Sequence, residues 1–290
     1  MNKVTLFTTL FSFALIIGCA QNKQDKKDFL ITIQTPYGEM KAILYDETPK
    51  HKANFIKLAK EGFYDSLLFH RIIQGFMIQG GDPQSKNTSA GQPLGSGGPG
   101  YTVDAEINPK YFHEKGAFSA ARLGDQMNPA KASSGSQFYI VQGTVVNEND
   151  LKTDQNKLNQ GLSMLLQKEA YMYLRDSLSK YYYSGDRDRY MAELMKLKPT
   201  IKEVTGIDVD KEVSPEKIKA YTTTGGAPHL DGEYTVFGKV ISGLEVIDKI
   251  AAQAKDARDR PQEDIRMFVS VEETTKKKIT KAYGYEYPNQ

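Results

Sequence analysis

The chain has 290 residues, 38 Lys plus Arg against 36 Asp plus Glu, and a formal net charge of +2. That length can bury a substantial core in one large domain or two smaller ones. The near-neutral balance gives no bulk field that would draw nucleic acid or acidic substrates, and a single cysteine excludes an internal disulfide framework.

Met1 to Gly18 carries Lys3 and then an uncharged apolar run, Val4 to Ile17. It is short for a membrane span and has the layout of a secretory signal, residues 1–18. Ile16-Ile17-Gly18-Cys19 resembles a bacterial lipobox, in which the leader is cut before the cysteine and the thiol carries lipid. The lysine-rich residues 19–28 then read as a flexible tether. The expected location is the bacterial cell envelope, lipid-anchored at Cys19. Ala20 lacks an acidic inner-membrane retention signal, which points to the periplasmic side of the outer membrane.

Phe29 to Gln34 and Met40 to Leu44 are β-branched and apolar runs joined by Thr35-Pro36-Tyr37-Gly38, a predicted hairpin. Thr48-Pro49 predicts a helix start, Phe55, Leu58 and Ala59 share a face, and Gly62 ends the helix. Phe69 to Asp82 follows, mostly apolar around Gly75, and predicts two strands or one bent strand. Arg71 stands inside it, and a guanidinium cannot shed its charge, so it must find partners or face a cleft. Asn87 to Gly100 is glycine-rich, but the extended Tyr101-Thr102-Val103 after it argues against a phosphate cradle and for a loop at a cleft rim. Phe112 to Arg122 predicts a turn or short helix leading into a strand, and Gln137 to Gln142 another strand.

From Val145 to Thr224 the texture changes. Leucines and tyrosines from Leu158 to Leu178 recur at three- and four-residue spacing and predict one amphipathic helix, broken at Ser184-Gly185. Tyr190 to Met195 predicts a second, ending near Lys198-Pro199, and Ser214-Pro215-Glu216 starts a third. These stripes suit a helical hairpin packed on the main domain, while seven tyrosines between Asp150 and Tyr221 would also suit a surface that grips client chains or a partner protein. Beyond it, Tyr234 to Val240 predicts a strand, Gly243 to Ala252 a helix, and Ile265 to Val271 a closing strand. The tail with Lys276-Lys277-Lys278 and three tyrosines reads as solvated.

No Gly-x-Ser-x-Gly elbow or Walker loop occurs, and the four histidines share no metal-ligand spacing. Such a chain is either a binding module or an enzyme whose reaction needs neither nucleophile nor metal. Phe69-His70-Arg71 to Gly80-Gly81-Asp82, Gly116 to Arg122, Gly135-Ser136-Gln137-Phe138-Tyr139-Ile140 and Leu230 to Val240 together resemble, in order, the cyclophilin-type peptidyl-prolyl isomerases. The resemblance covers about Phe29 to Gly143 and Gly225 to Val271. It implies a mostly β fold, a closed antiparallel β-barrel capped by two helices, with the helical insertion (145–224) between two strands. The barrel domain would be 29–144 with 225–272, and the tail 273–290.

The resemblance also implies roles. Arg71 is the expected catalytic cation, with Gln79 orienting it or binding substrate backbone. Phe76, Met77, Tyr139 and Leu230 would line a proline socket, Tyr234 would close it, and His229 would stand beside it. Ala121 and Arg122 would form the strip along which peptide backbone runs, with Gln137 donating to it. Arg122, Tyr139, His229 and Tyr234 stand where the commonest eukaryotic pattern has asparagine, phenylalanine, tryptophan and histidine, which implies weak cyclosporin binding. Expected partners are proline-containing polypeptides and, through the lipid, a membrane; no cofactor is expected. A chaperone or scaffold that binds proline segments with incidental catalysis is the alternative, although binding alone would not require the arginine.

Overall fold

The computed structural model describes residues 25–89 and 91–288. The leader, Cys19 and most of the expected tether lie outside the described residues. Among the described residues ten strands form: β1 (Lys27–Thr35), β2 (Gly38–Leu44), β3 (Leu67–Ile73), β4 (Met77–Gly80), β5 (Thr102–Val103), β6 (Ala117–Ala120), β7 (Ser133–Ser134), β8 (Phe138–Val141), β9 (Val236–Ser242) and β10 (Arg266–Thr275). Eight of them close an antiparallel barrel in the order β1-β10-β3-β4-β8-β6-β9-β2, and β5 and β7 make a separate two-stranded ribbon. The helices are α1 (Pro49–Lys60), α2 (Glu148–Leu151), α3 (Gln155–Leu166), α4 (Tyr173–Ser184), α5 (Arg187–Thr205), α6 (Pro215–Thr223), α7 (Leu244–Ala251) and α8 (Lys276–Tyr283). The expected capped barrel with a helical insertion between two strands is what forms.

Alternation builds the barrel core. In β10, Met267 and Val269 are buried while Phe268 between them and Ser270 after them are exposed, the period-two pattern of a strand with one face inward. Ile31, Ile33, Phe69, Phe118 and Phe138 join the same cluster, and α1 and α7 bury Phe55, Leu58, Ile247 and Ile250 in it. Phe55 meets Phe118 and Phe138 edge-on at centroid distances of 5.1 and 5.6 Å, a geometry that adds to the ~1.5–3 kcal/mol from burying each large side chain.

Several local expectations need correcting. Thr48 holds the N-cap position of α1 but its side chain caps nothing; Glu106 instead accepts from the Lys50 and His51 amides at 3.0 and 2.9 Å. β1 begins at Lys27, and Asp28, expected in the tether, is buried with Lys52 Nζ at 2.6 Å. The tail is not solvated. Thr275 caps α8, Ile279 is buried with Leu30 and Ile43, and Tyr283, Tyr285 and Tyr287 pack against them. One isoleucine and three tyrosines at close spacing supply enough apolar area to outweigh the lysine run.

The single helix expected from Leu158 to Leu178 is two, α3 and α4, separated by a 3₁₀ turn at Glu169–Tyr171 that follows an extended Lys168. Broken there, both halves lie against α5 and share a core of Leu158, Leu165, Leu178, Leu194 and Ile201; a continuous helix would run at ~1.5 Å per residue away from α5. Helix α5 also continues through Pro199 instead of ending there. The lost amide bond is offset by burying Ile201, whose methyl sits where a side chain on Gly161 of α3 would be.

The helical unit is joined to the rest at a narrow neck. Thr153 bridges Asp210, Asp154 N donates to Val209 O at 2.8 Å, and Lys211 N to Lys152 O at 3.0 Å. Nearer the barrel, Gly143 faces Gly226, and Gly226 bridges both Glu114 and Thr144. A Cβ on Gly143 or Gly225 would overlap backbone across this seam, and both have left-handed φ values, +64° and +87°.

Candidate active site

Strand register assembles one row of candidate site side chains. Arg71 of β3 pairs with Gln79 of β4, Gln79 with Tyr139 of β8, and Tyr139 with Ser119 of β6. The β3–β4 register shifts between Phe69 and Arg71, an irregularity of the kind that re-aims a side chain. His70 at the shift is buried, and neither ring nitrogen has a hydrogen-bond partner among the described residues. Burial holds its pKa down at about 4.

Arg71 is neither a core residue nor a buried ion pair; its side chain is 42% exposed at the wall of a cleft of about 510 Å³. Its guanidinium donates to Gln79 Oε1 at 3.4 Å and lies 3.7 Å from Asp259 Oδ2. Gln79 in turn donates to Gln137 Oε1 at 3.1 Å. Gln137, expected to donate to substrate, has its amide hydrogens directed to the Gly95 and Gly97 carbonyls at 2.9 and 2.7 Å. It braces Gln79 and the glycine-rich loop, because a buried primary amide must satisfy its donors locally. Asp82 fixes the same loop by accepting from Gly95 N and Gly97 N. The glycine-rich segment is therefore a cleft rim, as expected.

Phe76, Met77, Ala121, Arg122, Tyr139, Leu230 and Tyr234 line the cleft with Arg71 and Gln79. The strip residues differ from each other. Ala121 has its amide on Gln137 O and its carbonyl on Ser134 N. The Arg122 side chain is only 4% exposed: it donates to Glu233 O and Leu123 O, reaches Asp125 and Glu233 carboxylates, and lies 4.5 Å over the Tyr234 ring. It clamps Tyr234 against the cleft. His229 does not line the cleft; it is on the far side of the Phe76 ring, 5.4 Å centroid to centroid. Its short turn, Pro228–Leu230, places Leu230 inward and His229 outward.

Behind Tyr139 runs a polar network that ties the cleft to the insertion. The Tyr139 hydroxyl is 3.0 Å from His113 Nε2, and His113 Nδ1 is 3.1 Å from Asp231 Oδ1. Asp231 also accepts from the His113 amide at 2.9 Å, the Tyr221 hydroxyl at 2.8 Å and Lys217 Nζ at 3.0 Å, the last two from α6. The carboxylate makes Nδ1 the donor, which leaves Nε2 to accept from Tyr139. Burial alone would raise the Asp231 pKa, but these donors outweigh it and hold it below the ordinary range. Burial pushes the Tyr139 hydroxyl well up, so it stays protonated.

Sequence reasoning missed the loop between α7 and β10. Asp256, Arg258 and Arg260 line the cleft, and Asp259 partners Arg71. Asp259 sits at φ +64°, rare for a residue with a side chain, and Lys255 Nζ holds its other oxygen at 2.6 Å. Arg260 donates to Gln92 O at 2.8 Å and so carries the cleft-lining segment around Pro93 and Leu94. The available signal was the charge-dense run from Asp256 to Arg260 in a connection, since it supplies the carboxylates that Arg71 needs nearby. Among the described residues no three His, Cys, Asp or Glu side chains are grouped to hold a metal ion.

Residues 30–163 and 213–271 match the family model described as cyclophilin type peptidyl-prolyl cis-trans isomerase/CLD. The chain belongs to this family. A putative peptidyl-prolyl cis-trans isomerase of Staphylococcus saprophyticus is 30% identical over 240 residues, covering 81% of this chain and 87% of that protein. Peptidyl-prolyl cis-trans isomerase B of Bacillus subtilis is 45% identical over 122 residues, covering 41% of this chain and 75% of the other. A putative bifunctional phosphatase/peptidyl-prolyl cis-trans isomerase of Streptococcus pyogenes is 31% identical over 81% of this chain, but the match spans only 37% of that longer protein. Among solved structures, a Cryptosporidium parvum cyclophilin type isomerase gives a TM-score of 0.49 at 22% identity, covering 85% of this chain and 98% of that one. The cleft of this cyclophilin-type isomerase lies on the barrel face that carries Arg71.

Proposed function

We propose that this isomerase accelerates X–Pro rotation in unfolded or partly folded envelope proteins, with Arg71 stabilising the twisted amide. The planar amide resists rotation by about 18–20 kcal/mol, and uncatalysed exchange takes tens to hundreds of seconds. At the twisted transition state the nitrogen lone pair leaves the carbonyl and can accept a hydrogen bond. A fixed cation aimed at it binds that state better than the ground state, which is the condition for a rate gain. The observation that carries this reading is the placement of Arg71: held by Gln79 and Asp259, yet part-exposed beside Phe76, Met77, Tyr139 and Leu230. The apolar wall suits a pyrrolidine ring and favours the less polar twisted amide by excluding water. Turnover of an Ala-Pro peptide tests it: Arg71→Ala is expected to lower kcat/KM by about 100-fold or more, as loss of a transition-state donor does. A variant that keeps wild-type turnover overturns the role of Arg71.

The envelope assignment rests on the leader and on Ile16-Ile17-Gly18-Cys19. Lipid at Cys19 would hold the barrel near the membrane, with clients drawn from chains crossing or folding beside it. Labelling cells with a clickable fatty acid is expected to tag the wild-type protein and not Cys19→Ser. A tag on both, or on neither, removes the anchor.

A further inference from the structure

The Pro228–Leu230 turn has two faces. Leu230 borders the proline cleft, whereas Pro228 and His229 border a second groove of about 1110 Å³, between that turn, the start of the insertion and α5. Cleft and groove therefore share a wall only a single turn thick, with His229 packed on Phe76. We infer that this groove is a second subsite for the same polypeptide whose proline occupies the cleft, taking an extended segment of that chain on one side of the proline. The inference rests on the isomerase reading of the cleft and adds to it where the client chain goes next.

The lining mixes charged side chains, Asp150, Asp154, Arg187, Asp188 and Lys211, with amides and thioethers that suit an extended backbone of varied sequence. Asn149, Gln155 and Asn156 border the groove, and their side-chain amides have no hydrogen-bond partner among the described residues. A primary amide both donates and accepts, so it can pair with a peptide unit whatever side chains flank it. Met191 and Met195 form the opposite wall, half-buried on the insertion core. Their unbranched thioethers adapt to differently shaped apolar side chains. The exposed tyrosines offer no such continuity: Tyr182 and Tyr183 border a shallower depression of about 260 Å³ whose lining shares no residue with the cleft or the groove.

Position makes weak contacts sufficient. Once the proline is seated, the next residues are tethered at an effective concentration of roughly millimolar order. At ~3.3 Å per extended residue, a few residues carry the chain past the turn. The shared turn itself is held in place, since Lys217 and Tyr221 of α6 bond Asp231, the residue that follows it.

The test uses the full chain and two substrates, an Ala-Pro tetrapeptide and the same peptide lengthened by about eight residues on either end in turn, enough to span ~25 Å. Lengthening one end is expected to raise kcat/KM about tenfold, a modest gain for a tethered second contact, and lengthening the other end is expected to do little. Ala192→Trp, at an exposed groove position of α5, is expected to remove the gain and leave tetrapeptide turnover unchanged. A benzophenone placed in the favoured extension is expected to crosslink to groove residues. No gain at either end, or a gain that survives Ala192→Trp with crosslinks elsewhere, overturns the inference. Absence of tetrapeptide turnover in the wild type would instead strike the reading of the cleft, and the crosslink then decides the groove by itself.

Discussion

Arg71 is aimed by two neighbours of different kinds, a neutral amide at 3.4 Å and a carboxylate at 3.7 Å. The carboxylate belongs to Asp259, whose left-handed backbone asparagine also tolerates. Asp259→Asn should therefore keep the loop, remove the charge, and lower kcat/KM about fivefold, the equivalent of ~1 kcal/mol of lost orientation; an unchanged value in the peptide assay would show that Gln79 suffices. His70 makes a different prediction. Its folded pKa, about 4, lies below the ordinary 6.5. The stability it contributes is therefore complete above pH 6.5 and is lost as pH falls toward 4, by at most on the order of 3 kcal/mol. Urea unfolding across that window should show the fall, and His70→Phe should flatten it; His51, also lowered by burial, leaves a remainder. That Arg71 must either be paired or face a cleft was legible in the sequence, because a permanent charge stands in an apolar strand; the resemblance, and not the charge, singled it out as the candidate catalytic group. Which carboxylate partners it was not, since the charged run from Asp256 to Arg260 marks a candidate loop but nothing local pairs residue 259 with residue 71.

At the scale of elements, the strands around the site were readable to within two residues or so, because alternation and turn residues mark them. The insertion was readable only as helical. Periodicity gave the apolar stripe from Leu158 to Leu178 but not the break at Lys168, which depends on where α5 lies. Nor did it show that α6 does more than pack. Through Lys217, Tyr221, Asp231 and His113 this helix reaches the Tyr139 hydroxyl in the cleft wall. Tyr221→Phe is expected to cost about 2 kcal/mol of stability, one lost hydrogen bond to a charged group, and Lys217→Ala with it somewhat more. Both should lower peptide kcat/KM a few-fold through a loosened Tyr139, a change read by turnover alongside denaturant unfolding. Loss of stability with unaltered turnover would make the network structural only.

For the whole molecule, the decisive fact is that the barrel and the α3–α5 unit have separate cores joined at a neck. Asp154 and Val209 are hydrogen-bonded there, so the chain ends left by removing 154–209 lie close enough for a short linker. Such a deletion is expected to leave a cooperative barrel, with α6 still on Asp231 and tetrapeptide turnover within about twofold of wild type, since separate folding units couple weakly. A cut reaching Tyr221 should not be neutral, because it removes the α6 contacts. Calorimetry and the peptide assay on both deletions check this; a short deletion that fails to fold would show that the helical unit stabilises the barrel.

The Gly143–Gly226 seam gives this arrangement an unusual tolerance limit. Where side chains separate two parts, a substitution can be absorbed by a rotamer change; where main chain meets main chain, no such slack exists. The angle at which the insertion leaves the barrel is therefore a discrete setting, held by peptide hydrogen bonds at Thr144 and His113. Exchanging the helical unit for another would change the groove beside the Pro228–Leu230 turn and leave its bearing on Arg71 as it was.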